Sequence, residues 1–105
     1  MSKVFIPNDS GHDFSNAEPF GELVVMSKGM IDKFQVTQML RVFNSHLKDS
    51  KPDDWILQAG PTVMCSIACA AFTALHGQLN LLIHRYEQAG DMRYFQHKVR
   101  FLKDG

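Results

Sequence analysis

The sequence predicts an α/β fold, a two-layer sandwich in which a mostly parallel sheet packs against two crossover helices and ends in a C-terminal hairpin. Strand-like and helix-like segments alternate twice, and successive strand-helix-strand units imply parallel pairing with right-handed crossovers. The last two strand-like segments are joined by Gln88-Ala89-Gly90, which is typical of a hairpin turn. The length of 105 residues and the 45% hydrophobic content suit one folded domain, residues 1–105.

The N-terminal part of the chain contains two short strands separated by a long polar loop. Lys3–Ile6 is predicted to be a strand that ends at Pro7. Asn8–Pro19 is rich in Asp, Ser, Gly and Asn, and loops of this length in compact domains are commonly functional or mobile. The β-branched segment Glu22–Met26 is the second strand, and Ser27-Lys28-Gly29 closes it.

The first helix is predicted over Gln35–Leu47, where apolar side chains recur at helical spacing. These apolar residues are Val36, Met39, Leu40, Phe43 and Leu47, and the opposite side carries Gln38, Arg41 and Asn44. The segment Asp49–Asp53 then forms a turn, and Asp54–Ala59 is the third strand.

A second helix, Pro61–His76, is apolar nearly all round. Pro61 lies at its first position and Gly77 just past its last, an asymmetry that is typical of helices. We expect this helix to be buried on more than one side. Cys65 and Cys69 lie four residues apart within it and are predicted to be core residues, because free cysteine is among the most buried residue types.

Leu79–Tyr86 and Asp91–Leu102 are predicted to be the last two strands. In the first of them one face is apolar, with Leu79, Leu81 and Ile83, whereas the other face is mixed. If the strands around the crossovers lie in sequential order, both helices cover one face, and the other face is partly wet or covered by another subunit. We therefore expect a homodimer or a larger assembly.

Charge and composition exclude several classes of protein. Eleven basic and eleven acidic residues cancel, so the chain lacks the long-range field with which proteins bind duplex nucleic acid or membrane surfaces. The basic residues near the C-terminus alternate with apolar ones, as on a half-exposed strand. No membrane span, signal segment or disulfide framework is evident, and we expect a cytoplasmic protein.

The first candidate site is the junction Gly60-Pro61-Thr62, where a strand runs directly into a helix. A helix N-terminus presents unpaired N–H groups and a partial positive charge beyond the edge of the sheet, which suits a phosphate or carboxylate. Arg85, at the end of a later strand, would emerge near the same edge. The alternative interpretation is a proline-initiated helix with no ligand, since the fingerprints of dinucleotide and P-loop folds are absent.

The second candidate site is the loop that contains Ser10, His12 and Asp13. A histidine beside an aspartate can act as a base, a metal ligand or a polar clamp. The alternative is that Asp13 or Ser15 caps a short helical turn through Glu18. Because no nucleophile elbow, carboxylate pair or zinc motif appears, we predict no catalytic residue, no metal site and no cofactor.

Four segments together resemble a group of small phage-encoded proteins. They are Ser-Gly-His-Asp-Phe-Ser at 10–15, Phe-Gly-Glu-Leu-Val at 20–24, Gly-Pro at 60–61 and His-Gly-Gln-Leu-Asn-Leu-Leu-Ile at 76–83. The resemblance covers most of the chain. It implies expression in the cytoplasm of an infected bacterium and an accessory role in host takeover or in countering host defence.

These observations lead to three functional hypotheses of different classes. The first is a non-enzymatic oligomer that sequesters a small anionic, nucleotide-like ligand between the Gly60-Pro61-Thr62 helix start and the His12 loop, in host counter-defence. The second is an interaction module that inhibits a host enzyme through an exposed sheet face or helix. The third is a small hydrolase that uses His12 and Asp13.

Overall fold

The computed structural model describes residues 2–29, 32, 34–86 and 92–101, with the side chains of residues 85, 86, 92 and 93 outside this description. The described residues form five strands, two α-helices and one 3-10 helix. In chain order these are β1 (Lys3–Ile6), the 3-10 helix (Ser15–Phe20), β2 (Glu22–Val25), α1 (Val36–Leu47), β3 (Trp55–Leu57), α2 (Thr62–His76), β4 (Gln78–Tyr86) and β5 (Met92–Arg100).

The five strands form one sheet in the order β2-β1-β3-β4-β5. The pairs β1–β2, β1–β3 and β3–β4 are parallel, and β4–β5 is antiparallel. The predicted α/β class with a mostly parallel sheet is therefore confirmed. The crossover strands β2, β3 and β4 lie in sequential order across the sheet, and β1 is inserted between β2 and β3. The predicted turn Gln88-Ala89-Gly90 lies outside the described residues.

Both α-helices pack on one face of the sheet. The connections from β2 to β3 and from β3 to β4 advance in the same direction across the sheet, so right-handed crossovers place α1 and α2 on the same side. Their shared core includes Phe43 and Leu47 from α1, Phe72 from α2, and Phe5 and Ile56 from the sheet.

The opposite face is covered by the chain itself. The connection from β1 to β2 runs the other way across the sheet, which places the 3-10 helix on the other side. Phe14 and Ala17 are buried there against a second core that includes Val4, Trp55 and Leu82. We expected this face to be partly wet or covered by another subunit, but the structure covers it with the segment before β2. The polar composition of that segment does not indicate that it contributes buried residues.

The buried side of α2 is narrower than its sequence predicts. Met64, Cys65, Ala68, Ala71 and Phe72 form one buried stripe, whereas Ala70, Ala74 and Leu75 are exposed. The helix ends at Gly77, whose φ of +69° is left-handed and whose N–H donates to the Thr73 carbonyl at 2.8 Å. No helix among the described residues is long and apolar enough to cross a membrane.

Buried polar residues fasten the amino-terminal ends of the central strands. Asp54 is 2% exposed, and its two carboxylate oxygens accept hydrogen bonds from the N–H groups of Lys3 and Lys51, both at 2.8 Å. Asn80 is fully buried and donates to the carbonyl oxygens of Pro52 and Asp54. These bonds pair backbone groups of β1, and of the turn that leads into β3, with side chains of the core.

Candidate functional site

A cleft of about 410 Å³ opens at the carboxyl end of β3, on the face that carries the 3-10 helix. Its walls come from the loop after β1 (residues 7–14, the β1 loop), from the end of β3 with the loop that follows it (residues 58–61, the β3 loop), and from β4 and β5. The lining residues are His12, Asp13, Phe14, Leu57, Gln58, Ala59, Gly60, His84 and Tyr94.

The cleft lies next to the point where the chain leaves neighbouring strands in opposite directions. From β1 the chain passes towards β2, and from β3 it passes towards β4, on opposite faces of the sheet. In open α/β sheets, ligands bind beyond the carboxyl ends of the strands at such a position. The strand order thus indicates, independently of the local sequence motifs, that this edge of the sheet suits a ligand.

The β1 loop is folded by short-range hydrogen bonds and one buried ring. The Asp9 carboxylate accepts from the Gly11 N–H at 2.8 Å, and the Asp13 carboxylate accepts from the Ser15 N–H at 2.9 Å. The bond from the Ser15 backbone lowers the pKa of Asp13, so this carboxyl is ionised at neutral pH. Phe14 is 8% exposed and anchors the loop in the core.

Asp13 accepts a hydrogen bond from the first residue of the 3-10 helix and also lines the cleft. The N-cap of that helix is Phe14, without a side-chain cap hydrogen bond, so neither Asp13 nor Ser15 is the cap that the alternative interpretation predicts. His12 is exposed beside it, with its ring 6.3 Å from the ring of Phe14 in an edge-on arrangement. The loop presents an imidazole and a carboxylate side by side at the mouth of the cleft.

Gly60 is the point where the β1 and β3 loops touch. Its φ is +107°, and a Cβ added there would lie 2.9 Å from the Cβ of Asn8. Asn8 is 3% exposed and is held in place, since its side-chain nitrogen donates to the Gly29 carbonyl and its side-chain oxygen accepts from the Ser27 hydroxyl. Only glycine suits both the backbone conformation and the close approach.

Of the junction residues predicted as a site, Gly60 alone lines the cleft. Pro61 is the N-cap of α2, and its carbonyl accepts from the N–H groups of Met64 and Cys65 at 3.0 and 3.1 Å. Thr62 begins the helix and is exposed. The helix start therefore adjoins the cleft at Gly60 without forming its wall.

Two predicted site residues remain, Ser10 and Arg85. Ser10 is exposed in the β1 loop and is not among the lining residues. The backbone of Arg85 belongs to β4, but its side chain lies outside the described residues.

His84 and Tyr94 line the cleft and were missed by sequence reasoning. They are directly opposite each other on β4 and β5, with ring centroids 5.5 Å apart. Burial raises the pKa of Tyr94, and the nearby charge of Asp13 raises it further. The alternation of residues along β4 assigned His84 to the face that is not uniformly apolar, which is the face of the cleft. The pairing of Tyr94 with His84 depends on the register of the hairpin.

The chemistry of the cleft is that of a binding surface with aromatic walls. Its described lining carries one carboxylate and two imidazoles, and no lysine or arginine. Within the described parts of the chain, no three His, Cys, Asp or Glu residues are grouped to hold a metal ion. Burial raises the pKa of the nearby Cys65 and Cys69 thiols, which keeps them protonated and poorly nucleophilic.

The chain matches the family model of the phage Pam3 gp32-like proteins over residues 2–101. It therefore belongs to that family, and the predicted membership of a group of small phage proteins is confirmed. No curated protein and no solved structure matches the chain.

Proposed function

We propose that this phage protein is a non-enzymatic binding protein whose cleft takes a small, planar, anionic ligand of nucleotide-like chemistry. The observation that supports the proposal is the joint lining of one cleft by His12, Asp13 and Gly60, at the strand ends where α/β sheets bind ligands. The cleft volume of about 410 Å³ also falls within the range that small-molecule sites occupy.

The lining suggests how the two halves of such a ligand would be held. The rings of Phe14, His84 and Tyr94 offer surfaces on which a heterocycle can stack. The Asp13 carboxylate would accept a hydrogen bond from an exocyclic amine or a sugar hydroxyl. For the anionic group we assign the first N–H groups of α2, beside Gly60, together with His12.

In the infected cell, the protein would act in the bacterial cytoplasm by sequestering its ligand, as part of host counter-defence. A formal net charge of zero favours a small ligand over duplex nucleic acid or a membrane surface as the partner.

Thermal-shift and calorimetric titrations with matched nucleosides and mono-, di- and cyclic nucleotides test this proposal. A nucleotide at one hundred times its Kd should stabilise the fold by about 2.7 kcal/mol, and the matched nucleoside should stabilise it less. His12→Ala and Asp13→Asn should weaken binding, whereas Ser10→Ala, in the same loop but outside the cleft, should bind as wild type does. Absence of stabilisation by every nucleotide would refute the proposal.

A second candidate function is inhibition of a host enzyme through an exposed helix. At and before the start of α1, Phe34 is 88% exposed, and Val36 and Leu40 are 39% and 38% exposed. Clustered exposed apolar residues are typical of protein-binding surfaces. Affinity capture from host lysate should then yield one stoichiometric partner that Leu40→Ser loses and Ser10→Ala retains.

A further inference from the structure

The outer side of β5 is a long, regular sheet edge. β5 is the last strand of the sheet among the described residues. Its nine residues include three basic ones, Arg93, Lys98 and Arg100, and no proline or glycine that would interrupt pairing. The N–H of Phe101 donates to the Gly77 carbonyl, so backbone groups at odd positions point towards β4. The backbone N–H and C=O groups of Tyr94, Gln96 and Lys98 therefore point away from β4. A further strand can pair with such an edge through backbone hydrogen bonds.

We infer that two copies of this chain pair antiparallel through β5, about a two-fold axis at His97, so that Arg100 of the partner subunit lies beside Tyr94 at the cleft. The pairing depends only on the edge strand. The role of the arginine in ligand binding rests on the proposed function.

Side-chain matching selects the register. Phe95 and Val99 are 38% and 41% exposed and lie on the helix-bearing face of the sheet. An axis at His97 sets Phe95 opposite the partner's Val99. Since Ile83 is opposite Phe95 and Leu79 is opposite Val99 within one copy, two apolar rows would then run across four strands.

The two neighbouring symmetric registers are less favourable. An axis at Lys98 would set two lysines directly opposite each other. An axis at Gln96 would set Phe95 opposite the partner's His97, and Val99 opposite the partner's Arg93. Apolar side chains would then face polar and basic ones in each row. Cross-strand pairing favours the axis at His97.

On the cleft-bearing face, the same register supplies the charge that the cleft lacks. Tyr94 would be opposite the partner's Arg100, with Cα atoms about 5.5 Å apart as in a hydrogen-bonded pair. Gln96 would be opposite the partner's Lys98, so no like charges would be directly opposed. The guanidinium could contact the Tyr94 ring and a bound anion, whereas the described lining of one copy has no lysine or arginine.

Disulfide cross-linking without ligand tests the pairing and its register. At a two-fold axis, His97→Cys places two Cα atoms about 4.5 Å apart, within the range of a disulfide. In the same register, two Gln96→Cys residues are diagonal and about 8 Å apart, beyond that range. We expect oxidised His97→Cys protein to run at twice the 11.9 kDa chain mass. The wild type, whose cysteines are Cys65 and Cys69, should stay at one chain mass.

Two further cross-linking experiments examine the contacts themselves. A mixture of Tyr94→Cys chains and tagged Arg100→Cys chains should form the mixed dimer, and neither variant should cross-link alone. Val99→Lys should reduce cross-linking of His97→Cys, whereas Leu75→Lys, at an exposed apolar residue of α2, should not. Cross-linking of Gln96→Cys in preference to His97→Cys, or of neither, would overturn the inference.

Ligand binding then tests the role of the arginine separately. Arg100→Ala should weaken nucleotide binding about tenfold and leave nucleoside binding unchanged, because a charge-assisted hydrogen bond to the anion is lost. Lys98→Ala, whose ammonium lies 5.4 Å from the Trp55 ring centre, is the matched control. Unchanged nucleotide binding by Arg100→Ala would refute this role. If the wild type binds no nucleotide, the proposed function fails while the cross-links still decide the dimer.

Discussion

Replacing Gly60 with alanine should destabilise the protein more than the same change at Gly11. Both glycines have left-handed backbone angles, with φ of +107° and +112°. A Cβ at Gly11 has no atom within 4 Å, whereas at Gly60 it would lie 2.9 Å from the Asn8 Cβ. The two substitutions therefore share the backbone strain and differ in the steric contact.

The size of the difference follows from these two contributions. A side chain at such a φ costs about 1–3 kcal/mol. Forcing an extra methyl group into a packed site costs about 1–3 kcal/mol more. Asn8 cannot easily move away, since its side chain bonds to Ser27 and Gly29. We expect Gly60→Ala to lower the free energy of unfolding by about 2–6 kcal/mol, and Gly11→Ala by about 1–3 kcal/mol.

Urea unfolding of the two variants measures this difference directly, through a shift of the midpoint at unchanged slope. A double-mutant cycle with Asn8→Gly, which removes the opposing Cβ, isolates the contact. Gly60→Ala should cost less in the Asn8→Gly background. Equal destabilisation by Gly60→Ala and Gly11→Ala, together with no coupling to Asn8, would refute the steric reasoning.

Three further predictions concern charged and ionisable residues. Asp54→Asn should lower the free energy of unfolding by about 1.5–3 kcal/mol, because the N–H of Lys3 or of Lys51 loses a charged acceptor. Asp53→Asn, at an exposed neighbour, should change it by less than about 0.5 kcal/mol in the same urea titration. Asp13→Asn should lower the pKa of Tyr94, measured by ultraviolet titration against Tyr94→Phe; an unchanged value would place the carboxylate away from the phenol. Burial raises the pKa of Cys65, so the folded state holds the thiol proton while the unfolded state loses it. The free energy of unfolding should therefore fall as pH rises above about 8.5, with a smaller slope in Cys65→Ala.

Local sequence signals predicted most of the elements. Periodicity located α1 and α2 to within one residue at each end, and Gly77 marked the end of α2 because only a left-handed C-cap requires glycine there. The sequence predicted burial of α2 on more than one side, whereas the structure buries a single stripe. The apolar residues of a helix show its composition, but the width of its buried surface depends on the elements against which it packs.

The strand order and the cleft depended on long-range information. β1 and β3 are separated in sequence by some fifty residues, and four-residue and three-residue strands carry too little pattern to specify which neighbours they take. Gly60 and the His12 loop were each recognisable as unusual local segments. The contact between these two segments depends on the strand order, and the position of His84 beside Tyr94 depends on the register of β4 and β5. No single segment of the sequence specifies either of them.

The insertion of β1 between β2 and β3 brings the β1 loop beside the β3 loop at the cleft. From β1, the loop reaches β4 across two strand spacings, about 10 Å, a distance that residues 7–14 span easily. Right-handed return to β2 then keeps the loop on the face opposite the α-helices, where Asp13 meets Tyr94 and Gly60 admits the contact with Asn8. The polar loop and the glycine are thus parts of one arrangement, and a change at either should alter the shape of the cleft.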